Sequence, residues 1–220
     1  MPLLYRSLHR TCADAVPVAT LKQLKEQFYA NAGRNALLTR ELCALVDLLG
    51  SHGVPVIPYK GPVLATTVYG NLTLRQSGDL DILVRPQDAQ QATTLLLSRG
   101  YRRWEHRPAT LFPGFRKVEE LIRADGQVLV ELHQKITSGT FFFPLHPGRL
   151  WARVEEVSLD NTRVRSLPPE ELLVVLCVHG AKHHWSRLGW ICDVAELLRE
   201  YPRLGWEDRK STRLNSSHER

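Results

Sequence analysis

Apolar residues recur at helical spacing through the first quarter of the chain. From residue 19 to about residue 52 they fall three or four positions apart, which is the pattern of an amphipathic helix. Gly50 and Gly53 end this pattern. The stretch therefore predicts one or two helices, and we assign residues 1–52 to an N-terminal helical segment.

Strand-like and helix-like segments then alternate. Residues 54–59 form a short β-prone run with two prolines, which suits an edge strand or a first strand. Residues 61–69 have the pattern of a helix with proline in its first turn, residues 79–84 that of a strand, and residues 87–98 that of a second helix. This order predicts a sheet layer of an α/β or α+β protein.

Shorter strands and then further helices follow. Residues 117–123 and 127–133 are strand-like and are joined by Ala-Asp-Gly, a hairpin turn sequence. The second run is the more apolar, so we expect it nearer the centre of the sheet. After Pro168 the spacing is helical again, over residues 172–184 and 188–199.

The composition is that of an ordinary folded protein, with 43% hydrophobic and 24% charged residues among 220. The N-terminus lacks the apolar run of a signal peptide, and no stretch approaches the roughly 20 apolar residues of a membrane-spanning helix. We therefore expect a cytoplasmic protein with no membrane partner.

The formal charge of +6 is concentrated near the end of the chain. Residues 209–220 contain four basic residues and one acidic residue, so they account for +3 of it. The remainder is weak support for nucleic-acid binding, and nucleic acid is not among the partners we expect. Because the segment is also polar and aperiodic, we expect a disordered or foreign tail, with the natural protein continuing beyond about Asp208.

Two aspartates stand on one face of the strand predicted at residues 79–84. Side chains two positions apart in a strand project from the same face about 6–7 Å apart, so Asp79 and Asp81 should lie side by side. Their repulsion should raise the pKa of at least one of them unless a cation compensates. Carboxylates that hold divalent ions are a common device of phosphoryl transfer. The alternative for a bare Asp-x-Asp is a solvated strand end.

A third carboxylate lies in the apolar strand at residues 128–134. Glu131 shares one face of this strand with His133, while valine and leucine side chains alternate onto the other face. An ionised glutamate costs several kcal/mol if it is buried without a partner, so we expect it to face a cation or water. The alternative is an exposed face that leaves both Glu131 and His133 in solvent.

A pair of histidines suggests a different metal. His179 and His183 have the i, i+4 spacing that places two ligands on one helix face, which leaves a zinc site open. No glutamate follows the first histidine as in HExxH, and Asp193 is the one nearby candidate for a third ligand. Trp185 and Trp190 alongside favour a packing role.

Three segments together resemble a family of uncharacterised bacterial nucleotidyltransferases in the DNA polymerase β-like superfamily. They are YKGPVLATTVYGNLTLRQSGDLDILV (59–84), VELHQKI (130–136) and LLVVLCVHGAKHHWSRLGWICDVAELL (172–198). The resemblance implies an α+β fold with a mixed sheet and flanking helices, followed by the start of a helical domain. It makes residues 53–166 the catalytic core and residues 167–208 a helical region.

The resemblance also implies roles for individual residues. Three carboxylates would hold Mg²⁺, or Mn²⁺ in its place: Asp79, Asp81 and Glu131. By resemblance Gly61 would contact the nucleotide, and we expect three further residues to contact it as well: Lys60, Arg75 and Gly78. Pro62 stands where the superfamily has serine or glycine, which removes a backbone N–H from the phosphate site. We expect the cations Lys60 and Arg75 to compensate, and the alternative for each is a solvated surface charge.

Three functions remain open at this stage. The first is transfer of a nucleoside monophosphate from an NTP to a hydroxyl of a small molecule or protein. The second is a non-catalytic nucleotide-binding or regulatory module of the same fold. The third is a zinc-dependent hydrolase centred on His179 and His183.

Overall fold

A five-stranded mixed sheet forms the centre of the computed structural model, which describes residues 2–104, 118–136 and 147–204. Its strands in spatial order are β1 (Val56–Pro58), β2 (Leu80–Val84), β5 (Leu129–His133), β4 (Val118–Arg123) and β3 (Tyr101–Arg103). The expectation of an α+β fold with a mixed sheet and flanking helices is confirmed. The tail expected at residues 209–220 lies outside the described residues.

The strand positions expected near the Asp-x-Asp motif are confirmed. β1 is an edge strand, as Pro55 and Pro58 in the run 54–59 predict, because proline cannot donate a ladder hydrogen bond. The apolar strand β5 lies in the middle of the sheet, between β2 and β4. β2 begins one residue later than expected, at Leu80, so Asp79 precedes the strand.

The described residues contain seven helices. Their bounds are α1 (Pro2–Thr11), α2 (Val18–Ser51), α3 (Gly61–Thr67), α4 (Ala89–Ser98), α5 (Pro147–Ala152), α6 (Pro169–Lys182) and α7 (Leu188–Glu200). Short 3₁₀ turns precede α2 and α4. None of the described helices is both long and apolar enough to cross a bilayer.

The long N-terminal periodicity belongs to one continuous helix, α2, of 34 residues. Its C-terminal half carries a stripe of leucines that are almost completely inaccessible to solvent: Leu38, Leu42, Leu45 and Leu49. These leucines belong to the same core cluster as Val56 of β1, Ile82 of β2 and Val130 of β5. Helix α2 therefore packs in the hydrophobic core together with the sheet.

The chain falls into two compact units, Met1–Leu167 and Pro168–Arg220. In the second unit α6 and α7 pack against each other, which agrees with the two helices expected there. α6 begins with Pro169, followed by two glutamates whose charge suits the positive end of the helix dipole.

Helix α1 lies within the N-terminal helical segment expected at residues 1–52, but β3, α5 and a hairpin were not predicted from the sequence. The hairpin joins β6 (Glu155–Leu159) to β7 (Thr162–Ser166). Asp160 and Asn161 between them both have positive φ, at 47° and 64°, as a two-residue type I′ turn requires. The Asp-Asn turn sequence could therefore have predicted the hairpin. β3 has three residues, too few for a period-two pattern to appear.

We predict that Leu45→Ala lowers the free energy of unfolding by about 2–5 kcal/mol, because it leaves a cavity in the core. Tyr29→Ala on the same helix is the control: Tyr29 is 61% exposed, Leu45 is 0% exposed, and surface changes cost about 0.5 kcal/mol or less. Urea unfolding of both variants measures the difference. Equal, small losses would contradict the packing of α2 against the sheet.

Candidate metal and nucleotide site

The parallel pairing of β2 with β5 brings two carboxylates together. Asp81 lies directly opposite Glu131 in this register, and His133 follows two positions later on the same face of β5. One ligand atom from each of the three residues lies within 4.8 Å of the other two. Within ranges 2–104, 118–136 and 147–204, this is the one group of three or more side chains arranged to hold a metal ion.

His133 occupies the centre of this group. Its Nε2 atom lies 3.2 Å from Oδ1 of Asp81 and 3.2 Å from Oε2 of Glu131. Neither carboxylate is aligned to form a hydrogen bond with the ring nitrogen, so this buried atom makes none. The alternating sequence pattern places His133 on the same strand face as Glu131. From the sequence, however, His133 was considered only as a solvent-exposed residue and not as part of the site.

Lys60 also contributes positive charge at Asp81. Its Nζ donates a hydrogen bond of 2.8 Å to Oδ1 of Asp81, and both side chains are nearly inaccessible to solvent. The hydroxyl of the buried Tyr59 lies 3.5 Å from the same oxygen. Oδ1 of Asp81 is thus the atom on which the polar groups of the site converge.

Helix α2 holds the backbone that leads into β2. The side-chain amide of Asn31 donates hydrogen bonds to the carbonyls of Thr73 and Arg75, at 2.9 and 3.2 Å. Asn35 donates to the same Arg75 carbonyl at 2.6 Å, and Arg34 donates to the carbonyl of Gly78 at 2.8 Å. The sequence signal for these contacts was the set of polar positions 31, 34 and 35 on one helix face.

Gly61 begins α3 in a conformation that favours glycine. Its φ is +55°, and a Cβ atom at this position would lie 3.3 Å from the backbone oxygen of Asp79. The start of α3 is therefore packed closely against the residue that precedes β2. Tyr59, two residues before Gly61, also contacts β2, since its N–H donates a hydrogen bond of 3.4 Å to the Asp81 carbonyl.

Residues 1–217 match the family described as "Uncharacterised nucleotidyltransferase". The chain belongs to this family. No curated protein matches the chain.

Three solved structures show the fold of this family member. The lincomycin-bound lincosamide antibiotic adenylyltransferase LnuA has a TM-score of 0.51 and 16% identity, over 72% of this chain and 94% of its own. The antibiotic-resistance factor ANT(2'')-Ia in solution has a TM-score of 0.56 and 11% identity, over 84% and 100%. Its crystal structure with adenylyl-2''-tobramycin has a TM-score of 0.54 and 10% identity, over 74% and 88%.

The remaining residues with implied nucleotide roles lie in the segment before β2. Arg75 is half-buried, and its guanidinium donates a hydrogen bond of 3.2 Å to Oγ of Ser77. Gly78 is exposed and has open space around its Cα. Their nucleotide roles, like those of Lys60 and Gly61, remain predictions.

The electrostatics of the site separate the two aspartates. Burial raises the pKa of Asp81, but Lys60 and His133 outweigh it and hold this pKa well below its ordinary value. His133 likewise lowers the pKa of Glu131 against the effect of burial. Burial lowers the pKa of His133, and the two carboxylates overcome this and raise it. Asp81 and Glu131 therefore stay ionised at neutral pH.

Asp79 behaves in the opposite way. Its pKa rises from 3.8 to about 6 because of burial and then repulsion by Asp81 and Glu131, which Lys60 and Arg75 offset only in part. The pKa of one aspartate is raised, as expected, but burial contributes more to the rise than repulsion does. Asp79 lies in the bend before β2 and outside the group of three ligands.

The histidine pair at the C-terminal end of α6 packs on an aromatic ring. The ring centroids of His179 and His183 lie 5.2 and 5.1 Å from that of Trp190 in α7. Among the described residues no third ligand joins this pair to form a metal-binding group. The contacts fit the packing role that the neighbouring tryptophans favoured.

We predict that Asp79→Asn stabilises the metal-free protein at about pH 7.5 by roughly 1–3 kcal/mol. The raised pKa means that the native state binds the proton more tightly than the unfolded chain. The penalty for ionising Asp79 is therefore complete above about pH 6 and fades as the pH falls toward 3.8. Urea unfolding with chelator should show a smaller gain at about pH 4.5.

Asp125→Asn is the control for this change. Arg123 lowers the pKa of the Asp125 carboxyl, so its removal should give no gain in stability at neutral pH. A gain for Asp79→Asn that is the same at both pH values, or a loss near pH 7.5, would contradict the electrostatic account.

Proposed function

We propose that this protein transfers a nucleoside monophosphate from an NTP to a hydroxyl group of a small-molecule acceptor, with the help of Mg²⁺ or Mn²⁺. The observation that carries the proposal is the parallel register that sets Asp81 beside Glu131. Membership of the nucleotidyltransferase family supports the reaction class. The acceptor class is supported by the lincomycin and adenylyl-tobramycin held by the two antibiotic-modifying neighbours.

The side chains present fit a divalent cation. Asp81 and Glu131 are ionised, carboxylate oxygens are the ligands that Mg²⁺ prefers, and the buried Nε2 of His133 has no hydrogen bond. Asp81 and Glu131 would hold the ion, whereas Asp79, expected from the sequence as a third metal ligand, lies outside their group with His133. When bound, the ion would stabilise the charge on the transferring phosphoryl group and make the acceptor hydroxyl more acidic.

The positive groups of the site would bind the phosphates. Lys60 stands next to Gly61 at the start of α3, and Arg75 carries its charge on the segment before β2. The free amides of a helix N-terminus add a partial positive charge. Pro62 supplies no amide there, so side-chain cations carry more of this task.

Asp79 is the best candidate for accepting the proton of the acceptor hydroxyl. In the metal-free protein its pKa of about 6 is near neutral, where a general base is most effective. Asp81 and Glu131 are too acidic for that role, because neighbouring positive charge keeps them ionised. The two kinds of carboxylate therefore divide the work between holding charge and moving a proton.

The second candidate function is a nucleotide-binding module without catalysis. Pro62 and the Lys60–Asp81 ion pair favour it, because one removes a phosphate-binding amide and the other occupies a carboxylate oxygen. Such a module binds NTP without turning it over. Equilibrium binding of NTP together with absence of turnover would support it over transfer.

We predict that incubation with each of the four NTPs, Mg²⁺ or Mn²⁺ and a panel of aminoglycoside and lincosamide acceptors gives a product heavier by one nucleoside monophosphate. Asp81→Asn and Glu131→Gln should lower the rate by about 100-fold or more, because each removes charge that the transition state needs. Mass spectrometry of the acceptors measures the product.

Glu119→Gln is the matched control for the rate measurement. Glu119 pairs with Leu132 across β4 and β5, so it lies on the sheet face opposite to Glu131. Its side chain contacts Arg103 and Thr93 instead. Equal losses of rate in Glu119→Gln and Glu131→Gln, or no product with any acceptor, would contradict the assignment.

A further inference from the structure

The ring nitrogen Nε2 of His133 is one of the buried polar atoms without a hydrogen bond in the described part of the chain. His133 is 9% exposed, its Nε2 makes no hydrogen bond, and that atom is directed into the space between Asp81 and Glu131. A buried polar atom without a hydrogen bond costs about 1–3 kcal/mol. Such an atom in a native site calls for a ligand or another partner.

We propose that Nε2 of His133 directly ligates the divalent ion held by Asp81 and Glu131, and that this makes the site prefer Mn²⁺ to Mg²⁺. The inference deepens the proposed function and rests on it for the presence of a metal. The three carboxylates expected from the sequence to hold the metal, Asp79, Asp81 and Glu131, all offer oxygen atoms as ligands. A nitrogen donor changes the identity of the preferred ion.

The distances from the ring nitrogen to the two carboxylates are consistent with a shared ion. Nε2 lies 3.2 Å from an oxygen of each carboxylate. Neighbouring ligands at right angles around an ion with bonds of about 2.1–2.2 Å are about 3 Å apart. A hydrogen bond also permits the distance of 3.2 Å, but the misalignment with both carboxylates does not favour one.

The donor set favours a transition-metal ion. Mg²⁺ prefers oxygen ligands and dehydrates reluctantly, whereas imidazole suits later metals and Mn²⁺ still accepts carboxylate and water oxygens. Two carboxylates and one imidazole therefore discriminate against Mg²⁺. Lys60 shares Oδ1 of Asp81 and would have to leave that oxygen when the ion binds.

The alternative is a purely structural cluster, in which His133 is an imidazolium between two carboxylates. That cluster has no use for a metal and predicts no bond between Mn²⁺ and nitrogen. Pulsed electron paramagnetic resonance distinguishes the two, because the ¹⁴N nucleus of a ligating imidazole modulates the electron spin echo of bound Mn²⁺.

The experiment uses the full chain loaded with Mn²⁺ at less than one equivalent. We expect ¹⁴N modulation in the parent, its replacement by a ¹⁵N signal after labelling with ¹⁵N-histidine, and its loss in His133→Gln. His52→Gln is the control, because His52 is an exposed residue at the C-terminal end of α2, and it should keep the modulation. Absence of nitrogen modulation in the parent would overturn the proposal, without depending on whether any variant folds.

Affinity gives a second, independent readout. His133→Gln should weaken Mn²⁺ binding by about 10-fold or more while it changes Mg²⁺ binding by less than about 3-fold. Equal losses for the two ions would overturn the proposed preference. Mn²⁺ bound through nitrogen without any nucleotide turnover would contradict the proposed function but support histidine ligation. Metal-dependent turnover without nitrogen modulation would support the proposed function but contradict histidine ligation.

Discussion

The repulsion between carboxylates in a nearly dry sheet is the constraint on which the site depends. Asp81 is buried in β2, and the parallel register sets it opposite Glu131 of β5. Each charge loses hydration on burial, so the pair is tolerated only where positive groups face it. Lys60 and His133 supply that charge at Asp81. Asp79 is less well compensated, and burial together with repulsion raises its pKa to about 6. A divalent ion would neutralise all three carboxylates more fully.

The surrounding elements act as supports for this arrangement. The leucine stripe of α2 packs in the sheet core, while Asn31, Arg34 and Asn35 of the same helix hold the backbone carbonyls before β2. Gly61 allows α3 to begin against the backbone of Asp79. Helix packing therefore positions the segment that enters the site, and a site on strands rather than loops is held more rigidly.

The local part of this structure could be predicted from the sequence, and the non-local part could not. Periodicity gave α2, α3 and the strand of Asp81, and the apolar character of β5 gave its central position. The pairing of β2 with β5 joins residues about fifty positions apart, so no local pattern reports their register. For this reason Glu131 was expected to face a cation, but His133 was not recognised as part of the same group.

The central claim is that Asp81 and Glu131 jointly hold a divalent ion in contact with a nucleotide. Diffraction from crystals grown with Mn²⁺ and a non-hydrolysable NTP analogue, collected near the manganese absorption edge, tests it most directly. The account predicts an anomalous peak within about 2.5 Å of a carboxylate oxygen of each residue and of a phosphate oxygen of the analogue. Bound analogue with no peak at these carboxylates, and Lys60 still paired with Asp81, would contradict it.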